Sequence, residues 1–129
     1  MNIVIIGYGA GNTASVQFAL ERLGCEAVIT ADPGVIADAE RVILPGVGAA
    51  GYAMQRLNAL GLVEALRRFP RPLLGVCLGQ QLLFETSAED GGVDLLGLIP
   101  GRVEAIAHAP SRPSPHMGWS RLNIRREDP

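Results

Sequence analysis

Short apolar runs alternate with segments of helical spacing through the first part of the chain. Runs without polar interruption are typical of strands that a parallel sheet buries on both faces. Between the first two runs, Val16, Leu20 and Leu23 recur at the spacing of one helix face, with Asn12 or Thr13 as the candidate N-cap. The predicted strands are 2–6, 26–30, 41–44 and the apolar run 72–76 that precedes Cys77.

The remaining elements of this first part follow the same alternation. A second helical stretch covers about 50–69 with a break at Gly61, a third begins directly after Cys77, and Asp32-Pro33-Gly34 predicts a turn. Strands that alternate with helices imply parallel βαβ units, so the predicted fold class is α/β, a flavodoxin-like, doubly wound, mostly parallel sheet. Because ligands of such sheets bind beyond the carboxyl ends of the strands, the loops after strands 2–6, 41–44 and 72–76 are expected to converge there.

The pattern changes after the helix that follows Cys77. The segment 93–106 predicts short strands, and 109–115 is a proline-rich loop. Residues 120–124 alternate between apolar and polar side chains, which predicts one more strand before a charged end at Pro129.

Cys77 stands in the segment Gly75-Val76-Cys77-Leu78-Gly79, between a strand pattern and a helix pattern. A nucleophile flanked at two residues by small side chains is the pattern of a nucleophile elbow. The two glycines leave room for a tight turn, and the turn places the sulfur at a helix N-terminus, where the dipole favours a thiolate. We interpret Cys77 as a nucleophile; the alternative is a small buried residue on a βα turn. Cys25 lacks such a frame and is predicted to be structural.

A second glycine-containing loop, Pro45-Gly46-Val47-Gly48, follows the third predicted strand. Glycines on both sides of Val47 let the backbone approach a ligand and aim N–H groups at it. Beside Cys77, and together with the Leu78 N–H, this loop predicts an oxyanion hole, whereas alone it indicates only a turn. The predicted chemistry is acyl transfer through thiolate attack on a carbonyl and a thioester intermediate.

Composition is that of one globular domain over residues 1–129, with 48% hydrophobic residues, 19% charged residues and a net charge of −2. This charge balance does not favour binding to nucleic acid or to a membrane surface. Two cysteines in unlike contexts do not make a disulfide framework, so we expect a cytoplasmic protein. The apolar start at Met1–Ile6 is too short for a signal peptide. The loop Gly7-Tyr8-Gly9-Ala10-Gly11 does not match the dinucleotide fingerprint, since its third glycine comes one residue early.

Three segments together resemble a known family. Residues 45–48 and 75–82 are similar to those of class I (triad-type) glutamine amidotransferases. Pro115-His116-Met117-Gly118-Trp119, after Leu98-Ile99-Pro100-Gly101, narrows the resemblance to the glutaminase subunits of imidazole glycerol phosphate synthase, from histidine biosynthesis. The resemblance extends from Met1 to about Leu122. It implies glutamine as substrate, ammonia transfer to a (β/α)₈-barrel cyclase partner, and neither cofactor nor metal.

The resemblance also implies roles for single residues. Cys77 would attack the glutamine side-chain amide, and the N–H groups of Leu78 and of the Val47–Gly48 segment would hold the oxyanion. The residues implied to bind substrate are Gly46, Gln81 and Glu89, and those implied to face the partner are Asn12, Met117 and Trp119. Without the resemblance, Gln81 is an exposed helix residue, Glu89 a solvated loop acid and Trp119 a core residue.

One expected segment is absent from these 129 residues. The family carries its catalytic His and orienting Glu in a later His-Pro-Glu segment, which these residues lack. The resemblance implies that His116 lies in the segment that the family uses for docking and support, so it is not taken as the base. We therefore expect the chain to be the N-terminal part of such a domain, inactive alone, and able to self-associate through bare apolar surface and strand edges. A non-catalytic flavodoxin-like docking module and another cysteine hydrolase remain alternatives. Gly7 stands where the family usually carries Asp.

Overall fold

The computed structural model describes residues 1–127 and contains the predicted alternation of strands and helices. All four predicted strands are confirmed, and so is the helix break at Gly61, which adopts the left-handed conformation. The elements in chain order are β1 (Ile3–Ile6), α1 (Thr13–Arg22), β2 (Ala27–Thr30), α2 (Pro33–Asp38), β3 (Arg41–Leu44), α3 (Ala50–Ala59), α4 (Leu62–Arg67), β4 (Leu73–Gly75), α5 (Leu78–Gln81), β5 (Thr86–Ser87), a 3-10 turn (Glu89–Gly91), β6 (Val93–Asp94) and β7 (Arg102–Val103).

The first four strands form one parallel sheet in the order β2-β1-β3-β4. The direction of winding reverses between β1 and β3, so the loops after these two strands lie at the topological switch point, where doubly wound sheets bind ligands. The predicted flavodoxin-like, doubly wound α/β fold is therefore confirmed. Strands β5, β6 and β7 form a separate small sheet in the order β6-β5-β7, with one antiparallel and one parallel pair.

The two faces of the four-stranded sheet are covered to very different extents. On one face, here called the covered face, side chains such as Val4 and Leu44 pack in a large core with α2, α3, α4 and α5. On the other, the thin face, the buried side chains are Ile3, Ile5 and Ile43, with Val16 and Leu20 of α1 packed against them. Successive strand residues point to opposite faces, so each strand contributes to both.

The structure corrects two sequence predictions, the turn at 32–34 and the strand at 120–124, and gives the length of the helix predicted after Cys77. The predicted turn at Asp32-Pro33-Gly34 is the start of α2, because the Asp32 carboxylate accepts hydrogen bonds from Gly34 N at 2.8 Å and Val35 N at 3.4 Å and so caps a helix. The helix after Cys77 is a single turn, Leu78–Gln81. The predicted strand 120–124 is wrong: these residues are exposed and outside regular structure, since alternation without a neighbouring strand does not make a ladder.

Candidate active site

Cys77 lies on a strained turn between β4 and α5. Its backbone has φ 56° and ψ −123°, a combination that L-residues rarely adopt and that clusters at functional sites. The thiol is free and exposed, so the alternative of a small buried residue is wrong. The N–H of Leu78, the first residue of α5, has no acceptor within residues 1–127. This turn has the strand–nucleophile–helix geometry of an elbow.

Close backbone packing explains why glycine is needed on both sides of Cys77. A Cβ on Gly79 would overlap the carbonyl oxygen of Leu44, the last residue of β3. A Cβ on Gly75 would lie 2.5 Å from the Cα of Gln80. The first turn of α5 therefore rests directly on the ends of β3 and β4, and this contact fixes the position of the thiol relative to the sheet.

The Pro45–Gly48 loop packs against the Cys77 turn. A Cβ on Gly46 would lie 2.5 Å from the amide nitrogen of Gly79, so the two backbones are in contact. Val47 N–H donates to the carbonyl oxygen of Ala10 at 2.8 Å. Gly48, at φ 89°, has an N–H with no acceptor in the described part of the chain. Of the three N–H groups predicted to hold an oxyanion, those of Gly48 and Leu78 are thus unpaired within residues 1–127, whereas that of Val47 is engaged.

The glycine-rich loop after β1 holds the Pro45–Gly48 loop in place. The buried Tyr8 hydroxyl donates to the carbonyl oxygen of Pro45 at 2.8 Å, and Arg56 Nε of α3 donates to the carbonyl oxygen of Tyr8 at 3.1 Å. Burial raises the pKa of Tyr8 to about 12, because the phenolate would lose its hydration. The sequence analysis missed this residue; the available signal was an aromatic side chain among glycines, directly after a buried strand.

Glu89 connects the region of the small sheet to the start of α3, which follows the Pro45–Gly48 loop. Its Oε2 accepts a hydrogen bond of 2.8 Å from the N–H of Ala50, the first residue of α3, and its own N–H donates to Ser87 Oγ at 3.2 Å. A carboxylate at a helix N-terminus is stabilised by the helix dipole. Glu89 is therefore exposed but hydrogen-bonded to Ala50, whereas the interpretation as a solvated loop acid predicted no such partner. Gln81 is half-buried at the end of α5, about one helical turn after Cys77.

The residues predicted to face a partner lie elsewhere. Asn12 caps α1, because its Oδ1 accepts a hydrogen bond of 3.2 Å from Ser15 N. Met117 and Trp119 are both exposed and lie in the segment 104–127, which is almost entirely exposed. Within residues 1–127, Trp119 thus packs against no core, and its partner-facing position stays a prediction.

No described side chain is paired with the sulfur of Cys77. Within residues 1–127 the thiol makes neither a hydrogen bond nor an ion pair. Both histidines, His108 and His116, are exposed in the segment 104–127, where His108 Nδ1 accepts from Ser114 N at 3.4 Å. In the same described residues, no group of three or more His, Cys, Asp or Glu side chains is placed to hold a metal ion. None of the helices described is long and apolar enough to cross a membrane.

The sequence of this chain was compared with protein-family models and with known proteins. The family model described as "Glutamine amidotransferase class-I" matches residues 4–126. An imidazole glycerol phosphate synthase subunit HisH of Xylella fastidiosa (strain Temecula1 / ATCC 700964) is 52% identical over 127 residues, 98% of this chain and 63% of the relative. A protein of the same name from Xanthomonas campestris pv. campestris (strain 8004) is 52% identical over 126 residues, 98% of this chain and 62% of the relative. The chain thus spans less than two thirds of the length of these relatives.

Proposed function

The chain belongs to the class I glutamine amidotransferase family, and from that premise we propose that it is the glutaminase part of an imidazole glycerol phosphate synthase. It would hydrolyse glutamine at Cys77 and pass the ammonia to a (β/α)₈-barrel cyclase. The relatives that suggest this assignment carry the name of that synthase subunit. The observation that carries the proposal is the exposed thiol of Cys77 on a strained strand-to-helix turn, with the Pro45–Gly48 backbone in contact with it.

The proposed reaction proceeds in two steps at the sulfur. The Cys77 thiolate attacks the side-chain carbonyl carbon of glutamine, and the tetrahedral intermediate places a negative charge on the oxygen. Collapse breaks the C–N bond, and the leaving nitrogen takes up a proton to depart as ammonia. Water then adds to the glutamyl thioester, the C–S bond breaks, and glutamate leaves with the thiolate restored.

Backbone donors are proposed to stabilise the oxyanion. Leu78 N–H and Gly48 N–H are unpaired in this structure and lie on two segments that touch each other. Val47 N–H would join them only after its hydrogen bond to Ala10 breaks. Preorganised N–H donors of this kind are each worth about 3 kcal/mol of transition-state stabilisation.

Three further residues are proposed to bind the substrate. Gly46 would contribute through its backbone: a side chain there would overlap Leu78 and Gly79 and move the loop away from Cys77. Gln81 would hydrogen-bond the substrate from the end of α5. Glu89 would attract the ammonium group of the amino acid, in exchange for or in addition to the Ala50 N–H that it now accepts from.

The proposed reaction also needs a group that transfers protons at Cys77 and a cyclase that receives the ammonia. A thiol nucleophile needs a group that removes its proton and later protonates the leaving nitrogen, and residues 1–127 place no such group beside Cys77. Asn12, Met117 and Trp119 are proposed to face the cyclase. The same proposal places the chain in the cytoplasm, where the free thiols of Cys25 and Cys77 stay reduced.

The test uses the two cysteines of the chain as probe and internal control. We would treat the protein with the chloroketone analogue of glutamine and follow alkylation of Cys77 and Cys25 by mass spectrometry, with and without excess glutamine. Expected is labelling of Cys77 at least about tenfold faster than of Cys25, because the bound analogue would hold its reactive carbon beside Cys77 and not beside Cys25, and protection of Cys77 by glutamine. Equal rates without protection would contradict the proposal and favour a non-catalytic docking module.

Turnover is measured next, as glutamate release from glutamine with the barrel cyclase and its nucleotide substrate present. The variant Cys77→Ala is expected to abolish any turnover observed, whereas Cys25→Ala leaves it unchanged. Turnover that survives Cys77→Ala would overturn the assignment of the nucleophile.

A further inference from the structure

We propose that Glu89 is a positioning residue for the oxyanion donor of Gly48, in addition to its proposed contact with the substrate ammonium group. Its carboxylate holds the first residue of α3, which lies two residues after Gly48, and so fixes the end of the Pro45–Gly48 loop that carries the donor. One side chain thus recognises the substrate and aligns the loop. This inference rests on the proposed function, because the donor belongs to the same reaction.

The first observation is that α3 begins without a capping group of its own. Its N-cap residue is Ala49, whose methyl group cannot accept a hydrogen bond, and its first turn contains no acidic side chain. Ala50 is fully buried, so its N–H needs a partner within the protein. That partner is Glu89 Oε2 at 2.8 Å. A side chain 39 positions later in the chain therefore caps this helix.

The second observation is that the small sheet holds Glu89 in place. The N–H of Glu89 donates to Oγ of Ser87 at 3.2 Å, and Ser87 is buried on β5. The 3-10 turn rests on α3, since a Cβ on Gly51 would lie 3.4 Å from Asp90 Oδ2. Asp90 has φ 50°, a sparsely populated conformation that persists where the surrounding structure imposes it. The turn thus presents the Glu89 carboxylate to α3 from a defined position.

The third observation is that Gly48 makes few contacts of its own. The first residues of its loop are held by hydrogen bonds with Tyr8 and Ala10. Gly48 is exposed, has φ 89°, and a Cβ placed on it would meet nothing within 4 Å. The residues on either side therefore set the direction of its N–H. On the C-terminal side, the hydrogen bond that joins this backbone to another element is the one from Ala50 to Glu89.

The two tasks of Glu89 use different properties of its side chain. Oε2 accepts the Ala50 N–H, and Oε1 has no partner within residues 1–127, so it stays available to an ammonium group. Positioning depends on an acceptor at the right distance, whereas attraction of ammonium depends on charge. Glu89→Gln keeps the distance and removes the charge, and Glu89→Asp keeps the charge on a shorter side chain. The alternative is that Glu89 caps α3 and the core alone places the loop.

The first test follows the loop by NMR in the 129-residue chain, through amide hydrogen exchange and the chemical shift of the Gly48 amide. Glu89→Ala is expected to speed exchange at Ala50 and at Val47 at least about fivefold, because both ends of the loop open more often. It should also shift the Gly48 amide. Glu89→Asp should behave like Glu89→Ala, whereas Glu89→Gln should stay within about twofold of wild type.

Glu85→Ala is the matched control. Glu85 Oε2 accepts the Gly101 N–H at 2.9 Å, so this variant removes the same kind of hydrogen bond, between residues that directly precede β5 and β7. It does not touch α3 or the Pro45–Gly48 loop. Exchange at Ala50 and Val47 should change by less than about twofold.

The second test uses a carbonyl probe without an ammonium group, in a Cys25→Ala background so that Cys77 is the only thiol. Butanal adds reversibly to a thiol: the C–S bond forms, and the carbonyl oxygen takes up the thiol proton. That oxygen would lie at the Gly48 and Leu78 donors. Glu89→Ala and Glu89→Asp should raise the dissociation constant of the hemithioacetal, measured by NMR with isotope-labelled butanal, at least about fivefold, and Glu89→Gln less than about twofold. A purely ammonium-binding role would leave all three constants unchanged.

Two results would overturn the inference. One is an effect of Glu89→Ala on Ala50 alone, with Val47 exchange and the Gly48 shift unchanged, which would leave only the cap. The other is a loss in Glu89→Gln as large as in Glu89→Ala, with Glu89→Asp like wild type, because charge and not distance would then act. Failure of the proposed function has a different signature. Variants that loosen the loop as expected, in a chain whose Cys77 forms no hemithioacetal and shows no glutamine-protected labelling, would retain the positioning role and reject the glutaminase.

Discussion

The covered face and the thin face of the four-stranded sheet are made by the same strands but differ in what packs on them. The covered face buries a continuous core against four helices, and the thin face buries Ile3, Ile5 and Ile43 beneath one helix. The candidate site belongs to the covered face, since Tyr8 and Leu78 are members of its core. Leu74 and Val76, three residues and one residue before Cys77, contribute to the thin face. The nucleophile thus sits where a well-packed region meets an incompletely covered one.

The difference follows from the order of the strands. In the sheet order β2-β1-β3-β4, the connection from β1 to β2 runs in one direction, and its helix, α1, lies on one face. The connections from β2 to β3 and from β3 to β4 run in the opposite direction. Because such crossovers are right-handed, they place α2, α3 and α4 on the other face. Stability and site geometry thus come from one face, whereas the other face leaves apolar side chains such as Leu74 exposed.

The largest expected effect tests the contact between α5 and β3 on the covered face. In Gly79→Ala the added methyl group overlaps the carbonyl oxygen of Leu44, and the backbone must move. We expect a loss of more than about 4 kcal/mol in the free energy of unfolding, or no folded protein. Gly24→Ala at the end of α1 is the control: its Cβ meets nothing within 4 Å, and only the positive φ of 72° opposes it. That control should cost about 1–2 kcal/mol in urea unfolding, and equal losses in the two variants would contradict the comparison.

The next effect compares a leucine from each face. Leu57 of α3 is fully buried in the covered core, so Leu57→Ala should lower the free energy of unfolding by about 2–5 kcal/mol through lost burial and a residual cavity. Leu74→Ala on the thin face should cost less than about 0.5 kcal/mol, because its side chain is largely in water already. Chemical denaturation of both variants measures the ratio. A loss of 2 kcal/mol or more in Leu74→Ala would mean that the thin face is covered in solution, by a second copy or another segment.

The sequence was sufficient to predict the sheet and the elbow. The strands are continuous apolar runs because both faces of a parallel sheet exclude polar side chains, and this pattern is visible without any tertiary information. The elbow was equally visible, since Gly75 and Gly79 at fixed spacing from Cys77 have a local steric cause. The positions of β1, β3 and β4 therefore needed no knowledge of the folded chain.

The remainder of the site depends on contacts between residues far apart in sequence. The bond from Tyr8 to Pro45 spans 37 residues, and that from Ala50 to Glu89 spans 39, so no local pattern contains either. The engagement of Val47 N–H by Ala10 is likewise a property of two loops that meet only in the folded sheet. In 120–124 the local pattern was present but no neighbouring strand was, which is why that prediction was wrong.

The smallest expected effect concerns the hydrogen bond from Tyr8, in the core of the covered face, to the Pro45–Gly48 loop. Tyr8→Phe keeps the ring in the core and removes the hydroxyl that donates to Pro45, so we expect a loss of about 1 kcal/mol at neutral pH. Tyr52→Phe, at an exposed position on α3, is the matched control and should change stability by less than about 0.5 kcal/mol.

The dependence of stability on pH above neutrality gives a second comparison of Tyr8→Phe with Tyr52→Phe. Folding raises the pKa of Tyr8 from 10.0 to about 12, so the folded chain keeps this proton after the unfolded chain has released it. The stabilisation is fully present below pH 10 and is lost as pH rises from 10 to about 12. Tyr8→Phe should remove this component, whereas Tyr52→Phe retains it. Identical alkaline limbs in wild type and Tyr8→Phe would show that the Tyr8 phenol is hydrated in solution, and hence that the loop beside Cys77 is not held from the covered face.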